Sequence, residues 1–177
     1  MTTNSIKPIQ ALNQAFRKVK PNREEFDIFK HNLIELLDGI NEKESEEFHK
    51  NLIADFLKKT YYGERHSINT KQERDLVIHN GKDDKTPVGV IMEAKKPTAK
   101  GEMPKVDKLN VKALQQLVLY FLRERIVEKN LEVKHLIVTN VYEWFIFDSK
   151  LFEEFFADKP ENPLPSMESC QAIVSKL

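Results

Sequence analysis

Asp75, Glu93 and Lys95 are the residues in this chain whose types and spacing most directly suggest chemistry. Glu93 and Lys95 flank Ala94 at the end of an apolar run, Val90-Ile91-Met92, that reads as a strand. Residues two apart on a strand share a face, so Glu93 and Lys95 project together while Ala94 points the other way, into packing. Asp75 opens an earlier apolar run, Leu76-Val77-Ile78-His79, and Asn80-Gly81 begins a turn region between the two. Paired as an antiparallel hairpin, the start of the first run lies beside the end of the second, which brings Asp75 next to Glu93 and Lys95. Two carboxylates on one face of an apolar sheet repel each other and lose hydration, so they need a positive partner. A hard divalent cation such as Mg²⁺ is one, since it takes one or two carboxylates together with phosphate oxygens of a substrate. Lys95 would then orient a water or offset charge on a scissile phosphate. A plain ion pair of Lys95 with Glu93 or Asp75 uses the same residues without any chemistry, and the spacing alone leaves both readings open. Glu24-Glu25, Asp83-Asp84 and Glu153-Glu154 read as solvated acids.

The elements that would position these residues follow from periodicity. Pro21-Asn22 suits a helix entry, Phe26, Phe29, Leu33, Leu36 and Leu37 recur at helical spacing, and Gly39 suits the stop. A second helix is predicted from Glu42 to about Thr60, with Phe48, Leu52, Ile53, Phe56 and Leu57 as its apolar face. Asn41 or Ser45 would cap it. Strands are predicted at His66–Thr70, Arg74–His79 and Pro87–Lys95, with near-continuous apolar runs that suggest burial on both faces. Pro97 ends the last of these, and a polar loop runs from Thr98 to about Leu109. A long helix over about Asn110 to Lys129 comes next, then strands His135–Asn140 and Glu143–Asp148 joined by a tight turn, and a short helix Leu151–Ala157. The expected fold is therefore α/β, a central mixed sheet of four to five strands flanked by helices. Residues 1–23 read as an N-terminal arm, 24–157 as the domain, and 158–177, with Pro160, Pro163 and Pro165, as a tail or linker.

Asp75, seventeen intervening residues and Glu93-Ala94-Lys95, set on strand, turn and strand, resemble the signature of the PD-(D/E)XK nucleases, with Arg74 where that family has proline. The family core is a helix, a three-stranded meander, a helix and a further strand, which the element order supplies. Many members carry a metal-binding glutamate on the first core helix; Glu47 is the choice here, with Glu46 its neighbouring alternative. One subset has Gln-x-x-x-Tyr on the helix after the sheet, as in Gln116 to Tyr120, whose spacing puts both on one helical face; Gln115 is the partner in a slipped alignment. An amphipathic core helix with a polar tip accounts for that pair equally well. Residues 22–40, 46–62, 74–97 and 135–148 together resemble the N-terminal endonuclease region of type IIG restriction–modification enzymes, over roughly residues 11–157. Similar Thr-Asn and Trp-Phe wording occurs in type I restriction subunits.

The resemblance implies a restriction-endonuclease-like core and Mg²⁺-dependent hydrolysis of double-stranded DNA, with Mn²⁺ as a substitute. Asp75, Glu93, the Ala94 carbonyl and Glu47 would hold the metal, Lys95 would serve the attacking water, and Gln116 and Tyr120 would support the site or the DNA strand. It also implies methyltransferase and target-recognition regions. No Asn-Pro-Pro-Tyr-type tetrapeptide and no Gly-rich cofactor loop occurs in the sequence, so the chain is read either as a piece of a longer protein or as a stand-alone nuclease module. Double-strand cleavage from one site calls for a homodimer or for two sequential nicks. The alternative is a non-catalytic DNA-binding or subunit-docking module of the same fold.

Composition sets the outer limits. With 177 residues, 28 Lys+Arg and 28 Asp+Glu, the chain is one neutral domain, which excludes a strongly basic nucleic-acid coat but not a local basic face. Thr86 to Lys112 holds six lysines against three acids, whereas Val141 to Glu168 holds seven acids against two lysines. A nucleic-acid face therefore belongs near the first segment, where Lys96, Lys100 and Lys105 directly follow the Glu93–Lys95 strand and are candidate phosphate contacts. The single Cys170 excludes a disulfide framework and a Cys-rich zinc site. His31, His49, His66, His79 and His135 lack zinc-like spacing and read as structural or surface residues. Trp144 sits among Phe145, Ile146 and Phe147, which suits a core position better than a base-stacking platform. No segment approaches a membrane span and no apolar signal core opens the chain, so a reducing cytoplasm is expected.

Overall fold

A computed structural model describes residues 6–71 and 75–156. Two short helices, α1 (Pro8–Ala11) and α2 (Gln14–Lys18), precede α3 (Arg23–Asp38). Neither α1 nor α2 buries a residue. Asn22 caps α3 through a capping box with Glu25, each side chain taking the other's backbone N–H at 2.8 Å. Helix α4 (Glu46–Leu57) starts at Ser45, whose hydroxyl accepts from Phe48 N at 3.1 Å. A π-helical turn at Lys58–Tyr62 prolongs it.

The five-stranded sheet runs β1 (Ile68–Lys71), β2 (Asp75–His79), β3 (Val88–Ala94), β4 (His135–Thr139) and β5 (Trp144–Asp148), in that spatial order. β1, β2 and β3 form an antiparallel meander, β3 and β4 are parallel, and β4 and β5 are antiparallel. Parallel neighbours need a crossover. Helix α5 (Lys112–Leu122), extended by a π-helical turn at Arg123–Val127, supplies it. Helix α6 (Ser149–Phe156) follows β5. The chain is thus α/β, a mixed sheet with helices on both faces. The order helix, meander, helix, strand is the one expected from the sequence.

Alternation along the strands explains the two layers. Leu76, Ile78, Met92 and Ala94 face one way and pack with Ile53, Phe56 and Leu57 of α4 and Leu36 of α3. Val77, Val88 and Ile91 face the other way and pack with Leu117, Tyr120 and Phe121 of α5, Leu136 and Val138 of β4, and Phe152 of α6. At Gly89, where β3 passes the β2–β3 turn, a Cβ would lie 2.1 Å from Asn80 Oδ1, so a larger residue would have to displace that side chain. The segment expected as a plain polar loop is anchored: after a 3₁₀ turn at Lys100–Glu102, Met103 is buried in the α5 layer. The tight turn after β4 is present, with Val141 at φ 77°, an unusual conformation for a β-branched residue. The tail expected at 158–177, Cys170 and Arg74 lie outside the described residues.

Candidate functional site

The cluster forms where β3 ends under the N-terminus of α4. Leu76 faces Met92 across the β2–β3 pair. One step further along, Asp75 and Glu93 are the adjoining backbone positions, as the hairpin predicts. Glu93 and Lys95 share a face, with Lys95 Nζ 2.6 Å from Glu93 Oε1 and both side chains almost wholly buried (1% and 2% exposed). Ala94 points into the α4 layer. The Lys95 N–H donates to Thr139 O at 2.7 Å, which ties the residue beyond β3 to the end of β4.

Helix α4 brings the third group. Glu46, its first residue, places Oε2 3.3 Å from Lys95 Nζ. Glu47 has no described contact with Lys95: it is half exposed and lies, like Glu46, near Lys50, at 3.8 Å. The helix carboxylate of the cluster is therefore Glu46, which corrects the sequence choice of Glu47. The reason is the stripe that α4 buries. His49 and Ile53 are fully buried and Lys50 is nearly so, while Phe48 is only half-buried. Counting apolar residues alone rotated the expected face away from Glu46, which lies one turn before His49.

Two further residues belong here that sequence reasoning missed. Glu102, on the 3₁₀ turn, places Oε2 3.8 Å from Lys95 Nζ and 3.3 Å from Lys112 Nζ, at the first residue of α5. Lys50 reaches to 3.9 Å from Glu46 Oε1 with a side chain only 5% exposed. Glu102 had no local signal, because its role depends on how the loop returns. Lys50 could have been found four residues after Glu46, the spacing of helical ion pairs.

The electrostatics of the pair are those of buried charge. Burial pushes the Glu93 carboxyl above its ordinary value, against the pull of Lys95, and the neighbouring Glu46 pushes the same way. For Lys95, burial acts to lower the ammonium, but the charges of Glu93 and then Glu46 override it and hold Lys95 above its ordinary value. Glu93 Oε1 is held by the Lys95 ammonium at 2.6 Å, while Oε2 is buried without a described partner. A buried carboxylate left with open lone pairs is costly unless something else binds it. Its unpartnered oxygen is a hard ligand of the kind that a divalent cation of the Mg²⁺ or Mn²⁺ class takes. Among the described side chains, no three of His, Cys, Asp and Glu converge closely enough to enclose a metal. The side chain of Asp75 is not among those described.

On α5, Gln116 turns inward with Oε1 buried and without a hydrogen bond, while Gln115 is exposed and donates to Asn110 Oδ1 at 2.9 Å. Tyr120 is buried one turn on. The Gln116 alignment is thus the one whose two residues both face the sheet. Of the candidate phosphate contacts, Lys96 is half-buried and Lys100 and Lys105 are exposed, along the segment leaving β3. His66 Nδ1 lies 2.8 Å from His79 O, and His79 Nδ1 lies 2.6 Å from Thr86 O. His31 is exposed beside Glu35, and His135 is exposed on β4. His49 Nδ1 donates to Ser45 O at 2.8 Å, and its Nε2 is buried without a partner. Trp144 is half-buried against the α4 layer and donates Nε1–H to Val141 O at 2.8 Å. No described helix is long and apolar enough to cross a membrane.

Comparison with known families matches residues 6–162 to one described as a domain of unknown function (DUF7149). No curated protein and no solved structure matches.

Proposed function

The chain belongs to the DUF7149 family, and we propose that it is a metal-dependent endonuclease domain that hydrolyses DNA phosphodiester bonds, of the PD-(D/E)XK kind found in restriction–modification systems. The observation that carries this reading is Glu93: a buried carboxylate whose Oε2 has no described partner, held through Oε1 against a buried lysine on the same strand face and beside the Asp75 position. A pair built only for stability would be expected to close its hydrogen bonds, since each open one is destabilising.

In this reading Asp75, Glu93 and the Ala94 carbonyl would hold Mg²⁺ or Mn²⁺, with Glu46 in place of Glu47 as the helix carboxylate. The bound ion would lower the pKa of a water and offset charge on the phosphate. Lys95 would orient the attacking water toward phosphorus and donate to the oxygen on which charge gathers as the new phosphorus–oxygen bond forms and the old one breaks. Glu46 keeps the Lys95 ammonium directed at Glu93. Gln116 offers an inward amide that supports the site or the strand. Lys96, Lys100 and Lys105 carry positive charge along the path leaving β3, where a DNA backbone would be met. Target recognition and methylation would come from other regions, and the reducing cytoplasm is the expected setting.

The test is cleavage of supercoiled plasmid with Mg²⁺ or Mn²⁺, comparing wild type with Asp75→Asn and Lys95→Ala. Nicked or linear product from wild type alone is the expected result. Thermal stabilisation of wild type by Mn²⁺ with no cleavage would mean a sound site that acts only beside its partner regions. Neither cleavage nor metal response would leave a docking or DNA-binding module.

A further inference from the structure

The two edges of the sheet are built differently. β1, Ile-Asn-Thr-Lys, is short and mostly polar, which is how natural sheets keep an edge from pairing with another chain. β5 reads Trp-Phe-Ile-Phe-Asp, with no proline, lysine or bulge within it, and it ends the spatial order among the described residues. Its hydrogen-bond phase is fixed from both ends. Asn140 N donates to Glu143 O at 3.3 Å, and Ser149 N donates to Lys134 O at 3.1 Å. Bonded and non-bonded pairs alternate in an antiparallel ladder. Phe145 and Phe147 therefore bond inward to β4, while Trp144, Ile146 and Asp148 direct their N–H and C=O groups outward. The side chains alternate too. Phe145 and Phe147 pack into the α5 layer and Trp144 into the α4 layer. Ile146 shares the face of Trp144 but is 65% exposed. Exposed apolar side chains also stand at both ends of the strand, Tyr142 in the turn before it and Leu151 in the first turn of α6.

We propose that the outer edge of β5 is a homodimer interface, where a second copy of this chain adds its own β5 antiparallel, about a two-fold axis at Ile146, and joins two sheets into one. The strand is self-complementary in that register, as an isologous contact requires. The two Ile146 residues exchange both backbone hydrogen bonds, and Trp144 of each copy does so with Asp148 of the other, so every outward group of the strand finds a partner. The two Ile146 side chains then stand opposite each other as an apolar cross-strand pair. The two Asp148 carboxylates fall at opposite ends, whereas an axis at Asp148 would set them face to face. Antiparallel pairing also brings the end of β5 that carries Tyr142 to the end of the other strand that leads to Leu151, so the exposed apolar residues at both ends meet. β4 separates β5 from β3, so the Glu93–Lys95 cluster stays outside the interface, and the dimer stands whether or not that cluster cuts DNA. A strand edge with a few flanking side chains is smaller than the roughly 1,200 Å² of stable complexes, so the dissociation constant is expected at about 10–100 µM.

Sedimentation equilibrium of the full chain over roughly 5 to 500 µM, a span that brackets such weak association, should give a monomer–dimer equilibrium. Ile146→Lys sets two ammonium groups opposite each other and should weaken the dimer at least about tenfold. Its melting temperature in dilute solution should match wild type, because the side chain is exposed. A wild type that stays monomeric throughout overturns the proposal, and so does a dimer that Ile146→Lys leaves intact. Backbone hydrogen exchange gives a second measure on wild type alone. The amides of Trp144, Ile146 and Asp148 should exchange more slowly as concentration rises, while those of Phe145 and Phe147 are protected at every concentration. Fast exchange of the three at all concentrations overturns the dimer. Protection of the three that does not change with concentration would mean that a segment of the same copy, such as residues 157–177, covers the strand, and overturns it as well.

Discussion

Glu93 is held above its ordinary carboxyl value of 4.5 by burial first, with Lys95 opposing and Glu46 reinforcing. A group whose folded-state value is raised stabilises the fold in its protonated form. Its contribution is complete below the unfolded value and is lost as pH climbs through the folded one. Glu93→Gln keeps the shape and removes the charge, so it should raise the melting temperature at pH 8. It should also flatten the fall in stability that the raised Glu93 carboxyl is expected to give wild type as pH rises above 4.5. Each kcal/mol gained would appear as about 2–4 °C in a domain of this size. Melts of both proteins between pH 4 and pH 8 check this, and superimposed curves would mean that Lys95 cancels the burial cost. The converse substitution, Lys95→Ala, leaves Glu93 charged, buried and alone, and should cost about 3–5 kcal/mol. Urea unfolding of Lys95→Ala, Glu93→Gln and the double variant measures the coupling. The double variant should recover much of what Lys95→Ala loses.

At the scale of elements, the entry of α4 determines where Glu46 points. Ser45 accepts from Phe48 N through its hydroxyl and from His49 Nδ1 through its carbonyl. Removing the hydroxyl in Ser45→Ala should cost about 1 kcal/mol, as lost caps do. A urea midpoint unchanged from wild type would show that the first turn holds without the cap. On the opposite layer, Phe121 is fully buried, lies edge-on to Phe152 with centroids 5.4 Å apart, and carries the Arg125 guanidinium 5.2 Å from its ring centre. Phe121→Ala should therefore cost about 3–5 kcal/mol, read by the same unfolding curve. The strands that frame the site were legible because their signals are local. Alternation puts Glu93 with Lys95, the short connection gives the hairpin, and the hairpin gives the Asp75–Glu93 adjacency. The ends of α4 and α5 were not, since π-helical turns at Lys58–Tyr62 and Arg123–Val127 continue the same apolar pattern with different hydrogen bonds. The face of α4 was misjudged for a different reason. His49 and Lys50 are buried polar residues, and a pattern built on apolar positions assigns them to solvent.

Across the whole molecule, legibility falls with the sequence distance that a contact must close. Glu93 and Lys95 are two positions apart, and Asp75 is one hairpin away. Glu46 arrives from 49 residues upstream, and Glu102 acts only because the loop folds back to Met103 and α5. No periodicity encodes such returns, which are set by the layer packing of the finished fold. The same distinction bears on the N-terminal arm. Ile6, Ile9, Leu12, Phe16 and Val19 are all about half exposed or more, and α1 and α2 contribute nothing to either core layer. Arg17 stays within the arm, donating from Nε to Leu12 O at 3.0 Å and from Nη2 to Gln10 O at 2.8 Å. An element that buries no apolar surface against its domain adds little to the domain's stability. Deleting residues 1–20, which spares the Asn22 cap of α3, should therefore move the melting temperature by no more than about 2 °C, the effect of roughly 0.5 kcal/mol. The Mn²⁺ response should be equally indifferent, because among the described residues the charged partners of Lys95 lie beyond residue 45. A fall of several degrees would show that the arm's apolar residues cover the α3 face in solution. A lost Mn²⁺ response at unchanged stability would place the arm at the site itself.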